Sequence, residues 1–167
     1  QDTTARTFTI EDSLIRDWQK GGLLIATSRF SGDAAYNSNL TFNLVNTDVE
    51  GQGVGPVTAQ NGVQVNNRTV VNISDSSISD IGWTGPSAET ATGLLLNYSG
   101  AATIANSQFE DVQAGIYGYT FGGDEDVSIT GSTFDSQFNT TGAGNPDIYG
   151  IIGFDADFTL SGNTISL

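Results

Sequence analysis

Hydrophobic residues in this chain fall at alternate positions within a short phrase that returns six times. It reads TFTIEDSLI at 7–15, LTFNLVNTDV at 40–49 and TVVNISDSSI at 69–78. It returns as AATIANSQF at 101–109, DVSITGSTF at 126–134 and DFTLSGNTI at 157–165. The central aliphatic residues Ile10, Leu44, Ile73, Ile104, Ile129 and Leu160 are separated by 34, 29, 31, 25 and 31 positions. Two before each anchor stand Phe8, Phe42, Val71, Ala102, Val127 and Phe158; five after stand Ile15, Val49, Ile78, Phe109, Phe134 and Ile165. β-Branched and aromatic residues at every second position mark strands with one buried face. Two past each anchor comes Asp12, Asn46, Asp75, Asn106, Gly131 or Gly162. These types tolerate left-handed backbone, so a tight bend is predicted there in every copy. Three past the anchor a small polar residue recurs: Ser13, Thr47, Ser76, Ser107, Ser132 and Asn163.

A second phrase interleaves with the first, a glycine followed by apolar residues, beginning at Gly22, Gly62, Gly93, Gly115 and Gly150. From the last four of these to the next anchor is 11, 11, 14 and 10 residues, but from Gly22 it is 22. Thr27–Ser38 therefore reads as an insertion, and the remaining length variation falls before the glycines, in 82–92 and 137–148. Repetition on this scale means stacked, similar units with extra residues in loops.

Each coil thus holds a bent strand pair, a variable loop and a Gly-led strand. This pattern resembles the right-handed parallel β-helix repeat of the pectate-lyase-like superfamily, over about 7–167. The expectation is an all-β, right-handed single-stranded parallel β-helix (solenoid) of about five to six coils, forming one domain over 1–167. An antiparallel sandwich would need hairpins at regular short spacing, which asymmetric repeats in one register fit poorly. Residues 1–20, with Trp18, are a candidate N-terminal cap. No polar cap is visible after the last repeat strand, so the C-terminal end reads as uncapped.

Composition narrows the chemistry. The chain has 167 residues, no Cys, no His and no Met, with five Lys+Arg against 19 Asp+Glu for a formal charge of -14. Without Cys, a disulfide scaffold and a thiolate zinc site are excluded, and without His the commonest general base is missing. The charge repels nucleic acid and anionic lipid, so neither is an expected partner. No apolar run is long enough for a membrane-spanning helix, so no membrane insertion is expected. Gln1 reads as the residue after a removed signal or the edge of an excised domain. Richness in Ser, Thr, Asn and Gly suits a secreted, extracellular or cell-surface protein.

The family resemblance implies catalytic patterns to test. Its hydrolases use several Asp with Gly-His-Gly and Arg-x-Lys, and neither of those motifs is present. Its lyases imply calcium and a basic residue. Only Arg68 among the cations lies in the repeat body away from the N-terminal region, in a turn leading into a strand. No catalytic residue is assigned, and a non-catalytic role is favoured.

Two groups of residues remain as candidates. Aligned on the anchors, Asp124 stacks on Asp155 and Asp126 on Asp157, and with Glu125 these carboxylates are a candidate calcium site. A solvated acidic turn is the plainer reading of such a cluster. A second acidic run, Asp17, Glu50, Asp80, Glu110, Asp111 and Asp135, follows the inward residues as a stripe that keeps the strands soluble. On the Gly-led strand, Leu24, Gln64, Leu95, Tyr117 and Ile152 point outward as a mostly apolar face. Of these, Leu24, Leu95, Tyr117 and Ile152 are candidate interface residues. Tyr117, Tyr119, Phe121, Tyr149, Phe154 and Trp83 lie near this region and are candidates for stacking on sugar rings, although core and stack filling is the plainer reading of such aromatics in a β-helix. Sequons at Asn39, Asn67, Asn72, Asn97 and Asn139 become glycosylation sites if the source is a eukaryote or an archaeon. The expected role is a structural, adhesive or assembly module whose partners are other protein subunits (self or neighbour) or a polysaccharide. The competing expectation is a carbohydrate-active enzyme or glycan-binding module. An ice-binding surface finds no regular threonine array at Leu14, Asp48, Ser77, Gln108, Thr133 and Thr164.

Overall fold

A computed structural model describes residues 4–26, 40–85, 89–119, 126–137, 147–154 and 156–167. Strands follow in threes: β1 (Arg6–Glu11), β2 (Leu14–Ile15) and β3 (Gly21–Ile25), then β4 (Leu40–Val45), β5 (Asp48–Gly55) and β6 (Asn61–Asn66). The next coils hold β7 (Val70–Ser74), β8 (Ser77–Trp83) and β9 (Thr92–Asn97), then β10 (Ala102–Ala105), β11 (Gln108–Val112) and β12 (Ala114–Tyr119). The last are β13 (Asp126–Thr130), β14 (Thr133–Asp135), β15 (Tyr149–Phe154), β16 (Asp157–Ser161) and β17 (Thr164–Ser166). Every strand pairs in parallel with its counterpart one coil on, giving three walls. Sheet A is β1-β4-β7-β10-β13-β16, sheet B is β2-β5-β8-β11-β14-β17, and sheet C is β3-β6-β9-β12-β15. The chain is a parallel β-solenoid, as the repeat predicts.

The register is the one the anchors require. Ile10 pairs with Leu44, Leu44 with Ile73, Ile73 with Ile104, Ile104 with Ile129, and Ile129 with Leu160. The predicted bends are also in place. Asp12, Asn46, Asp75 and Asn106 have φ of 51, 44, 51 and 49°, and Gly131 and Gly162 have 60 and 64°. Each therefore occupies the left-handed region between sheets A and B.

Inside, side chains from all three sheets form one core. Phe42, Leu44, Val63, Leu94, Ile104, Ile116 and Ile129 are wholly enclosed. The Phe109 and Phe134 rings stack at 4.8 Å and 7° on successive coils. Column neighbours adjust in size: a Cβ on Gly118 or Gly153 would meet the Phe158 ring at 2.9 or 2.4 Å. These glycines leave the space that the bulky ring fills.

The Gly-led phrase has a packing cause. A Cβ on Gly62, Gly93 or Gly115 would fall 2.7, 2.8 or 2.5 Å from the carbonyl oxygen of the next glycine in the column. It would also strike Ile78, Phe109 or Phe134, which project from sheet B. At this corner, backbone rather than side chain touches the core. The N-terminal segment joins the solenoid directly: β2 pairs with β5, and Trp18 packs half-buried against the core.

Candidate functional site

Sheet C carries the most distinctive surface. Its register places Leu24 against Gln64, Gln64 against Leu95, Leu95 against Tyr117, and Tyr117 against Ile152. The four interface candidates thus share one outward column with Gln64. Leu24 is 66% exposed and the other members are half-buried. Two residues further along, Asn66, Asn97, Tyr119 and Phe154 form a parallel column.

Aromatic rings gather where these columns reach the later coils. Tyr117 and Tyr119 lie 5.6 and 6.4 Å from Phe154, and Tyr98 meets Tyr119 edge-on at 4.8 Å. A hydrogen bond with Tyr119 raises the Tyr98 pKa above its ordinary value. Tyr149, at the entry to β15, donates to Asp147 Oδ2 at 2.8 Å, and that carboxylate likewise raises its pKa. Toward the earlier coils the surface becomes amide. Asn61 Nδ2 donates to Gln64 Oε1, while Gln64 Nε2 and Asn97 Nδ2 both donate to Asn66 Oδ1, each at 3.2 Å.

The five strands of sheet C contain no Asp, Glu, Lys or Arg. Sheet A carries Arg6, Glu11, Asp126 and Asp157, and sheet B carries Asp48, Glu50, Asp80, Glu110, Asp111 and Asp135. The strands of one wall of a strongly acidic molecule are therefore free of charged side chains.

The remaining candidates are dispersed. Asp126 and Asp157 are exposed register neighbours on sheet A, whereas Asp124 and Asp155 lie outside the described residues. Among the described residues no three carboxylates converge as a metal site would require. The acidic stripe divides in two. Glu50, Glu110 and Asp135 share a column with Ser79 and Ser166, while Asp80 and Asp111 turn at φ of 57 and 50°. Trp83 faces inward at 6% exposure, with Gly85 closed over its indole, so it is core and offers no sugar a ring. Phe121 lies outside the described residues, as does the Thr27–Ser38 insertion.

Of the sequons, Asn67 sits in a turn at φ 59°, Asn72 donates to Asn43 Oδ1 at 2.9 Å, and Asn97 belongs to the amide chain. Asn39 and Asn139 lie outside the described residues. A recess of about 160 Å³ opens beside the irregular register of β5, lined by Gln19, Gln52, Val57, Thr58, Gln60 and Gly82. Sequence alignment alone misses Tyr98, which follows its strand and belongs to no repeat column; its place one residue past Asn97 is the only signal.

Comparison of the chain with protein-family models, with curated proteins and with solved structures finds no match in any of the three.

Proposed function

We propose that this chain is a secreted, non-catalytic β-helix module with a structural, adhesive or assembly role, and that the outward face of sheet C is its contact surface. The observation that carries the reading is the absence of charged side chains from the strands of that face, on a molecule of charge -14. Apolar and aromatic surface without charge is what the centre of an interface requires. Leu24 and Phe154, 66% and 47% exposed, are the side chains with most area to lose on contact. Kinship with the pectate-lyase-like superfamily is part of the proposal and rests on the repeat pattern. Calcium bridging Asp126 and Asp157 belongs to it as well, because a cation relieves like charges on adjacent strands.

Three experiments test these parts. Polysaccharides incubated with the protein, with and without calcium, should release no soluble product; unsaturated or reducing-end products would overturn the non-catalytic reading. Light scattering at rising concentration, with and without candidate partners, should show a complex that Leu24→Asp weakens. A calcium-dependent rise in Tm that Asp157→Asn abolishes supports the bridge, and an unchanged Tm removes calcium. A second reading, a glycan-binding module, is favoured by the Tyr98, Tyr117, Tyr119 and Phe154 rings.

A further inference from the structure

We propose that the sheet C face is a platform for a neutral polysaccharide chain lying along the solenoid axis. The proposal rests on the reading that this face is the contact surface, and it names the chemistry of the partner.

Charge makes the first selection. A charged partner finds no Asp, Glu, Lys or Arg on these five strands to answer its own charges. An acidic polysaccharide is also repelled by the rest of a molecule of charge -14. A neutral glycan meets neither difficulty.

The groups present make the second. A sugar ring has apolar C–H faces and a rim of hydroxyls. Tyr117, Tyr119 and Phe154 provide ring surface for the faces. Gln64 and Asn97 provide half-buried amides for the rim, and Asn66, buried beneath them, accepts a hydrogen bond from each. Each amide nitrogen has two donors, and the described bonds of Gln64 Nε2 and Asn97 Nδ2 use one apiece. The mutual bonds among these amides fix their orientation before a ligand arrives, which lowers the ordering cost of binding.

Geometry makes the third. The columns Gln64–Leu95–Tyr117–Ile152 and Asn66–Asn97–Tyr119–Phe154 run across the strands. Their repeat is the strand spacing of about 4.8 Å. A polymer laid along them meets a new side chain at every coil. This surface is a wall rather than a cavity, which suits a long chain better than a small molecule.

Native affinity electrophoresis is the direct test. The -14 charge drives the protein toward the anode, and a neutral polysaccharide in the gel has no mobility of its own. The gels contain mixed-linkage β-glucan, galactomannan, dextran or, as the charged comparison, polygalacturonate. The expected result is retardation by at least one neutral polymer, insensitive to salt. Tyr117→Ala and Phe154→Ala should each weaken it by about tenfold, the scale of one lost aromatic stack. Tyr117→Phe should preserve it, and so should Thr103→Ala on sheet A. Melting curves restrict the comparison to folded variants. The proposal is overturned if no neutral polymer retards the protein, if only polygalacturonate does, or if the Tyr117→Ala/Phe154→Ala pair binds like the parent. If all polymers fail but light scattering shows a complex that Leu24→Asp disrupts, this inference falls while the contact-surface reading survives. Failure of both removes both.

Discussion

The backbone N–H of Thr47 donates to the Ser76 hydroxyl one coil away, at 3.2 Å and in the closed interior. The relation repeats: Ser76 N–H donates to Ser107 Oγ at 3.3 Å, and Ser107 N–H to Ser132 Oγ at 3.2 Å. Ser132 N–H ends the series on Asn163 Oδ1 at 2.8 Å. The hydroxyls of Ser76, Ser107 and Ser132 also donate to the carbonyls two residues back. The recurring small polar residue after each bend therefore carries interior hydrogen bonds around the corner between sheets A and B, where a buried amide would otherwise stand alone.

Ser107→Ala should cost about 1–3 kcal/mol, because it leaves the Ser76 N–H buried without its acceptor. Thr103→Ala, exposed on sheet A, should stay within about 0.5 kcal/mol of the parent. Urea unfolding of the two variants measures the difference, and equal midpoints would show that the interior bond contributes nothing.

The glycine column makes a sharper contrast. Gly115→Ala places a Cβ 2.5 Å from the Gly150 carbonyl oxygen and 2.6 Å from the Phe134 ring, an overpacking that should cost about 1–3 kcal/mol or more. Gly55→Ala meets nothing within 4 Å and should be neutral or slightly stabilising. Thermal melting of both variants tests whether space or chain flexibility explains these glycines.

Tyr149 should titrate late. Its hydrogen bond to Asp147 raises its pKa above that of an ordinary tyrosine. The folded state thus holds the phenol proton more tightly than the unfolded chain does. The contribution is fully present below the unfolded pKa and is lost as pH rises through the folded pKa. Ultraviolet titration of the parent and of Asp147→Ala should show one tyrosine moving to lower pH in the variant; superimposable curves would contradict the assigned cause.

Much of this molecule is legible in its sequence because a solenoid turns sequence spacing into spatial adjacency. The Ile10 to Leu160 column, the bends at Asp12 to Gly162 and the face from Leu24 to Ile152 all follow from counting. Where the chain leaves the common period, counting fails. Tyr98 lies in a turn at φ 54° and joins the aromatic group only through the path of the chain beyond β9. Trp83, next to a variable loop, carries no periodic signal for the side on which it falls, and it proves to be core. The acidic stripe is displaced for a similar reason. Asp80 and Asp111 occupy left-handed turns that break the alternation running through Glu50 and Glu110.

The central claim is that one register aligns the neutral, outward residues of sheet C into a continuous contact column. The chain has no cysteine, so a pair can be introduced without competition. Gln64→Cys with Leu95→Cys joins register neighbours, within the 4.4–6.8 Å Cα separation that a disulfide needs. Gln64→Cys with Asn97→Cys is offset by two residues along β9 and lies out of reach. Mass spectrometry after mild oxidation should find an intramolecular disulfide in the first variant and free thiols in the second. Free thiols in the first, or a bridge in the second, would contradict the register and with it the contact surface.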